Sequence, residues 1–191
     1  MLVCITGEIG SGKSTALKII KNQGFHTFNM DGYIHRIYRW NKIGYQLINK
    51  HFGSNYVNNV QVDRIRLGKL VFSNSKELKK LNRLIIPLMQ AQLQKMLKKS
   101  DIFFVEMGIY MHQRAAFSKY FQKVIFIDAK KTLKNKNLAK KMPYLRKFPT
   151  SFVGKLEYPT KTRNRTKYIV VENYKNLKKF KENILEILQN F

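Results

Sequence analysis

The sequence predicts an α/β fold: a five-stranded parallel sheet flanked by helices, with an inserted helical subdomain and a basic lid. Three observations lead there. Short β-branched or aromatic runs alternate with stretches of helical period, the pattern of layered α/β chains. Each run is apolar on both alternating faces, as a strand covered on two sides must be. The 191 residues suit about one domain, so the elements belong to a single core with an appendage.

Leu2 to Thr6 opens the chain as a strand, and Ser14 to Asn22 follows as a helix. His26 to Met30 reads as the next strand. Helical patterns then fill roughly Tyr33 to Lys50, Asp63 to Phe72 and Leu81 to Lys98, with no strand between Tyr33 and Lys98. Strands resume at Ile102 to Met107 and Val124 to Ile127. The segment from Lys130 to Lys167 is rich in Lys and Arg, holds three prolines and has little periodicity. It reads as a mobile basic loop or lid, or equally as a surface helix followed by an irregular linker. Tyr168 to Val171 and Leu177 to Leu188 supply the last strand and helix. The expected division is a core of residues 1–32, 100–130 and 167–191, a helical subdomain over about 33–99, and a lid over about 131–166.

Composition narrows the function classes. With 44% hydrophobic residues the chain can bury a core, which excludes wholesale disorder. Its longest apolar runs fall well short of the ~20 residues that span a bilayer, so no membrane partner is expected. No basic leader precedes an apolar stretch, and a single cysteine, Cys4, fits a reducing compartment. A cytoplasmic protein is expected. Lys and Arg number 37 against 11 acidic residues, for a net charge of +26. That field favours polyanions. Only nine of the basic residues are Arg, however, and Asn, Ile, Phe and Tyr are abundant, which coding bias toward A/T-rich codons also produces. Specific nucleic-acid binding is not expected; duplex DNA should bind at about 10⁻⁴–10⁻⁶ M at physiological salt.

The segment Gly7-Glu8-Ile9-Gly10-Ser11-Gly12-Lys13-Ser14-Thr15 fits G-x-x-x-x-G-K-[ST] without mismatch, between a predicted strand and a predicted helix. This composition gives roughly 0.006 accidental matches, before that context is counted. The glycines let successive N–H groups turn inward as an anion nest, and the helix N-terminus adds its positive end. Residues Glu8 through Thr15 are thus the expected nucleotide-binding loop. Lys13 reaches the β- and γ-phosphates, with its side chain in solvent when no nucleotide is bound, and Ser14 ligates Mg²⁺. ATP with Mg²⁺ is the expected cofactor pair. An Asn-Lys-x-Asp base-reading motif is absent, since Ile43 and Gly44 follow Asn41-Lys42; a small kinase remains.

Asp31 stands at the carboxyl end of the second predicted strand, where ligands bind in open parallel sheets. There it serves as a catalytic base for an attacking hydroxyl, or holds Mg²⁺ through water. The competing role is an N-cap for the helix beginning near Tyr33. His35 lies one turn beyond, on the face of Asp31. No metal-ligand spacing links His26, His51 and His112.

The loop, together with Asp31-Gly32-Tyr33-Ile34-His35, His51-Phe52-Gly53, Val62-Asp63-Arg64-Ile65-Arg66-Leu67-Gly68-Lys69-Leu70-Val71-Phe72 and Tyr168-Ile169-Val170-Val171-Glu172-Asn173, resembles the dephospho-coenzyme A kinases. The resemblance covers about residues 1–90 and 157–190. It implies a P-loop kinase fold and ATP-dependent phosphorylation of the 3′-hydroxyl of dephospho-coenzyme A, the last step of coenzyme A synthesis. It further implies phosphate, metal and acid/base roles for Lys13, Ser14 and Asp31. His35 and Arg64 would join Asp31 in binding the substrate, and Asn173 would join the nucleotide site. The chain departs from the family pattern in four places. The proline-leucine-leucine stretch expected after the third strand is not legible in Glu106-Met107-Gly108-Ile109-Tyr110. Glu8 stands where glycine is usual, Ile86 precedes Pro87 where histidine is usual, and the lid has lysines with Arg146 its one arginine between Lys130 and Thr162. A nucleoside or nucleotide kinase and a basic P-loop nucleic-acid-binding protein are the alternative readings.

Overall fold

A computed structural model describes residues 1–141, 167–174 and 176–191. Five parallel strands form one sheet, β1 (Leu2–Thr6), β2 (His26–Asn29), β3 (Phe103–Glu106), β4 (Lys123–Ala129) and β5 (Lys167–Asn173), in the order β2-β3-β1-β4-β5. β1 is central, and all five of its residues are buried. Its register sets Ile5 beside Glu106 of β3 and Ile125 of β4, which brings the carboxyl ends of β1 and β3 nearly level while β4 runs on to Ala129. β2 and β5 are the edges and keep several exposed positions, so double covering holds for the inner strands only. Cys4 is wholly buried in β1, and that burial pushes its thiol well above its usual range.

The chain divides into two compact units. The first, residues 1–29 and 96–191, holds the sheet with α1 (Lys13–Asn22), α6 (Arg114–Phe117), α7 (Lys131–Lys141) and α8 (Leu177–Leu188). Its core joins Val3, Ile5, Phe104, Ile125 and Ile127 of the sheet to Ile20 of α1 and to Phe180 and Ile184 of α8. The helical faces follow from spacing: Ala16, Ile19 and Ile20 on α1 and Phe180, Ile184 and Leu188 on α8 fall three or four apart. α8 starts at a side-chain cap, Asn176, whose Oδ1 accepts from the Lys179 amide at 2.9 Å.

The second unit, residues 30–95, comprises α2 (Met30–Ile37), α3 (Ile43–Phe52), α4 (Arg64–Ser73) and most of α5 (Ser75–Leu97). The single helix expected over Tyr33 to Lys50 is two helices. The intervening backbone spends its hydrogen bonds elsewhere: the Trp40 amide donates to Val60 O at 2.7 Å and the Val62 amide to Tyr38 O at 2.9 Å. Asn41, at φ 57°, turns the chain there. Isolated antiparallel bridges, Arg39 to Gln61 and Val57 to Val62, pair this segment, where the sequence suggested helices alone. α5 also begins earlier than expected and continues through Pro87. In the lid region α7 forms a helix over its first residues; Arg146 and the rest of the segment up to Thr166 lie outside the described residues. No described helix is long and apolar enough to cross a membrane.

Candidate active site

The turn between β1 and α1 is built by its glycines. Gly7, Gly10 and Gly12 all have positive φ. At Gly12, with φ 107°, a Cβ would lie 2.6 Å from Asn173 Nδ2, so the loop needs glycine there both for conformation and for space. Asn173, at the end of β5, uses the same amide to donate to Ser11 O at 2.8 Å. The last strand thereby holds the loop just before the helix begins. Ser11 Oγ and Thr6 Oγ1 are buried without a hydrogen-bond partner among the described residues.

The sequence placed the Lys13 side chain in solvent, and the structure corrects this. Its Nζ donates to Gly7 O at 3.0 Å and Glu8 O at 2.9 Å, and the residue is 9% exposed. The ammonium folds over the loop because the glycine-rich backbone leaves two carbonyls pointing toward it. Ile9 is the exposed tip, while the Glu8 carboxylate accepts from Lys134 Nζ of α7. Thr15 is half-buried in the first turn of α1.

Beneath the loop lies a carboxylate that sequence reasoning missed. Glu106, at the end of β3, is 4% exposed. It accepts from Ser14 Oγ at 3.0 Å through one oxygen and from Asn29 Nδ2 at 3.0 Å through the other. Sheet register explains the meeting, since Glu106 pairs with Ile5 on one side and Asn29 on the other. The signal was present: Glu106 is the acidic residue ending a buried strand, the rule that singled out Asp31. Hydroxyl and carboxylate oxygens are hard donors suited to Mg²⁺, which takes one or two carboxylates and completes its shell with phosphate and water. No cluster of three or more His, Cys, Asp or Glu suited to a metal occurs among the described residues.

In the helical unit, Asp31 is the second residue of α2 rather than the residue before it, so the N-cap alternative fails. His35 follows one turn later. Arg64 opens α4, whose N-cap is Asp63, with its Oδ1 accepting from the Arg66 amide at 3.0 Å. The structure joins His35 and Arg64 directly, Arg64 Nη1 lying 2.5 Å from His35 Nε2. A guanidinium only donates, so Nε2 is the acceptor and the ring proton belongs on Nδ1. Partial burial lowers the His35 pKa from its usual value, the Arg64 charge adds to this, and Asp31 opposes it.

Comparison with known proteins gives a consistent result. The family model for dephospho-CoA kinase matches residues 1–179. The dephospho-CoA kinase of Mycoplasma genitalium is 33% identical over 138 residues, 71% of this chain and 70% of that one. A solved dephospho-CoA kinase from Campylobacter jejuni superposes with TM-score 0.66 at 24% identity, over 99% of this chain and 96% of the other. A Thermus thermophilus structure reaches TM-score 0.74 at 21% identity, over 100% of this chain and 96% of its own.

Proposed function

The chain belongs to the dephospho-CoA kinase family, and we propose that it moves the γ-phosphoryl group of ATP to the 3′-hydroxyl of dephospho-coenzyme A through the residues described above. One observation carries the assignment of roles: the linked contacts of Ser14, Glu106 and Asn29 under the phosphate loop, with Asp31 two residues further along the chain.

The loop amides and Lys13 receive the triphosphate. Lys13 then exchanges its two carbonyl acceptors for phosphate oxygens, which develop more charge as the terminal bond breaks. Ser14 and Glu106 would hold Mg²⁺, which when bound neutralises charge on the phosphate oxygens. Asp31 accepts the proton of the attacking hydroxyl. Arg64, with His35 as its acceptor, supplies positive charge to the anionic substrate, and Asn173 steadies the loop on the nucleotide side. Unit 30–95 is then the substrate-binding subdomain. ATP and a coenzyme precursor as substrates, and a buried unpaired thiol, fit a cytoplasmic enzyme.

The test is ATP consumption against a panel of dephospho-coenzyme A, nucleosides and nucleoside monophosphates. Turnover is expected with dephospho-coenzyme A alone; preference for a nucleoside or its monophosphate would favour the other kinase reading. In Asp31→Asn, turnover should fall by about 10²–10⁴, the usual contribution of a positioned base, while ATP affinity holds. Unchanged turnover would remove Asp31 from the mechanism.

A further inference from the structure

The phosphate loop carries a charge of the wrong sign for its ligand. Glu8 is the acidic residue among Gly7 to Thr15, on a turn whose amides and lysine serve to attract a polyanion. A lone carboxylate there would repel the incoming triphosphate. Glu8 is not alone: Lys134 Nζ of α7 donates to its Oε2. Both side chains are mostly shielded, at 19% and 30% exposed for Lys134 and Glu8, so salt screens the pair less than it would an open one.

The pairing is built into the backbone. A Cβ placed on Gly10 would lie 2.6 Å from Lys134 O, so the helix and the loop touch main chain to main chain. One turn further along α7, Asn137 Nδ2 donates to Gly10 O at 2.8 Å. Lys134 and Asn137 share a helix face, and that face grips the loop at residues 8 and 10, on either side of the exposed Ile9.

We propose that Lys134 is a positioning residue of the nucleotide site, which cancels the charge of Glu8 and, with Asn137, braces α7 against the phosphate loop. The proposal rests on the reading of this loop as the ATP phosphate site. It makes a prediction with a sign: removing Lys134 exposes a negative charge to the nucleotide, and removing Glu8 as well takes that charge away again.

The experiment measures affinity for the β,γ-imido analogue of ATP by titration calorimetry, with thermal unfolding alongside. In Lys134→Met the affinity should fall about tenfold at low salt and less at high salt, as screening shortens the reach of Glu8. Turnover at saturating ATP should change much less than KM. The double variant Glu8→Gly/Lys134→Met should return to within about threefold of wild type, and Lys134→Arg should bind as wild type does. Should Lys134→Met fail to fold, Lys134→Gln with and without Glu8→Gly makes the same comparison. Wild-type affinity in the single variant, or a double variant as weak as the single, would overturn the proposal. Lys13→Ala separates the two levels: unchanged analogue binding in that protein would overturn the loop's nucleotide role itself.

Discussion

Glu106 and His35 show how much a residue's chemistry depends on what faces it. A lone acidic residue at a strand end says little by itself; the parallel register that sets Asn29 and Ser14 around Glu106 is a pairing of strands far apart in sequence. The loop lysine and serine were readable because their spacing is local, whereas Glu106 depends on which strand lies beside which. His35 was legible as a neighbour of Asp31 by helical spacing and through the family resemblance, while its bond to Arg64 crosses 29 positions. Its lowered pKa leaves the ring neutral at neutral pH, able to accept from Arg64. The folded form resists protonation more than the unfolded chain does. The stability this contributes is therefore present above the unfolded value of about 6.5 and is lost as pH falls through the lower folded value. Function should follow the same direction. Below that folded value the imidazolium no longer accepts and repels the guanidinium, so KM for dephospho-coenzyme A should climb at acid pH. In His35→Gln, which keeps an acceptor and does not titrate, that acid rise should vanish. A rise identical to wild type would mean that His35 does not govern Arg64.

Elements were read best where one face and a cap coincide. α8 runs over the span that its helical pattern predicts, Leu177 to Leu188, and the structure adds Asn176 as its cap. That cap gives a prediction: Asn176→Ala should cost about 1 kcal/mol, lowering the melting temperature by roughly 2–4 °C in a chain of this size. Asn176→Asp should be close to neutral. Calorimetry of the three proteins decides it, and an unchanged midpoint in the alanine variant would mean that the Lys179 amide finds another acceptor. The break between α2 and α3 was not legible, because residues 38–42 carry no proline or glycine before Gly44. Tyr38 and Trp40 leave the helix to bond with Val62 and Val60, a tertiary demand that overrides local preference. The early start of α5 has a local explanation: Asn74 Oδ1 accepts from the Lys76 amide at 2.9 Å, a turn signal that its apolar spacing, beginning only at Leu81, did not carry.

At the scale of the molecule, the α/β class was legible because inner parallel strands are apolar on both faces, and β1, β3 and β4 are so. The order β2-β3-β1-β4-β5 was not, since nothing local to a strand names its neighbour. The edges misled for the same reason: β5 buries one residue, Val171, of its seven. The charge of +26 points toward anionic ligands without choosing among them; membership of the dephospho-CoA kinase family makes that choice. The burial of Cys4 in the middle strand has a practical consequence. A thiol there, with its ionisation suppressed, reacts with an alkylating reagent only when the sheet itself comes apart. The chain thus contains an internal clock for its own global opening, needing no engineered probe. Nucleotide that binds the folded state alone should slow that clock by the factor 1 + [L]/Kd, so the rate of iodoacetamide labelling at rising ATP concentrations reads out the strength of the complex from a wholly buried atom of the central strand.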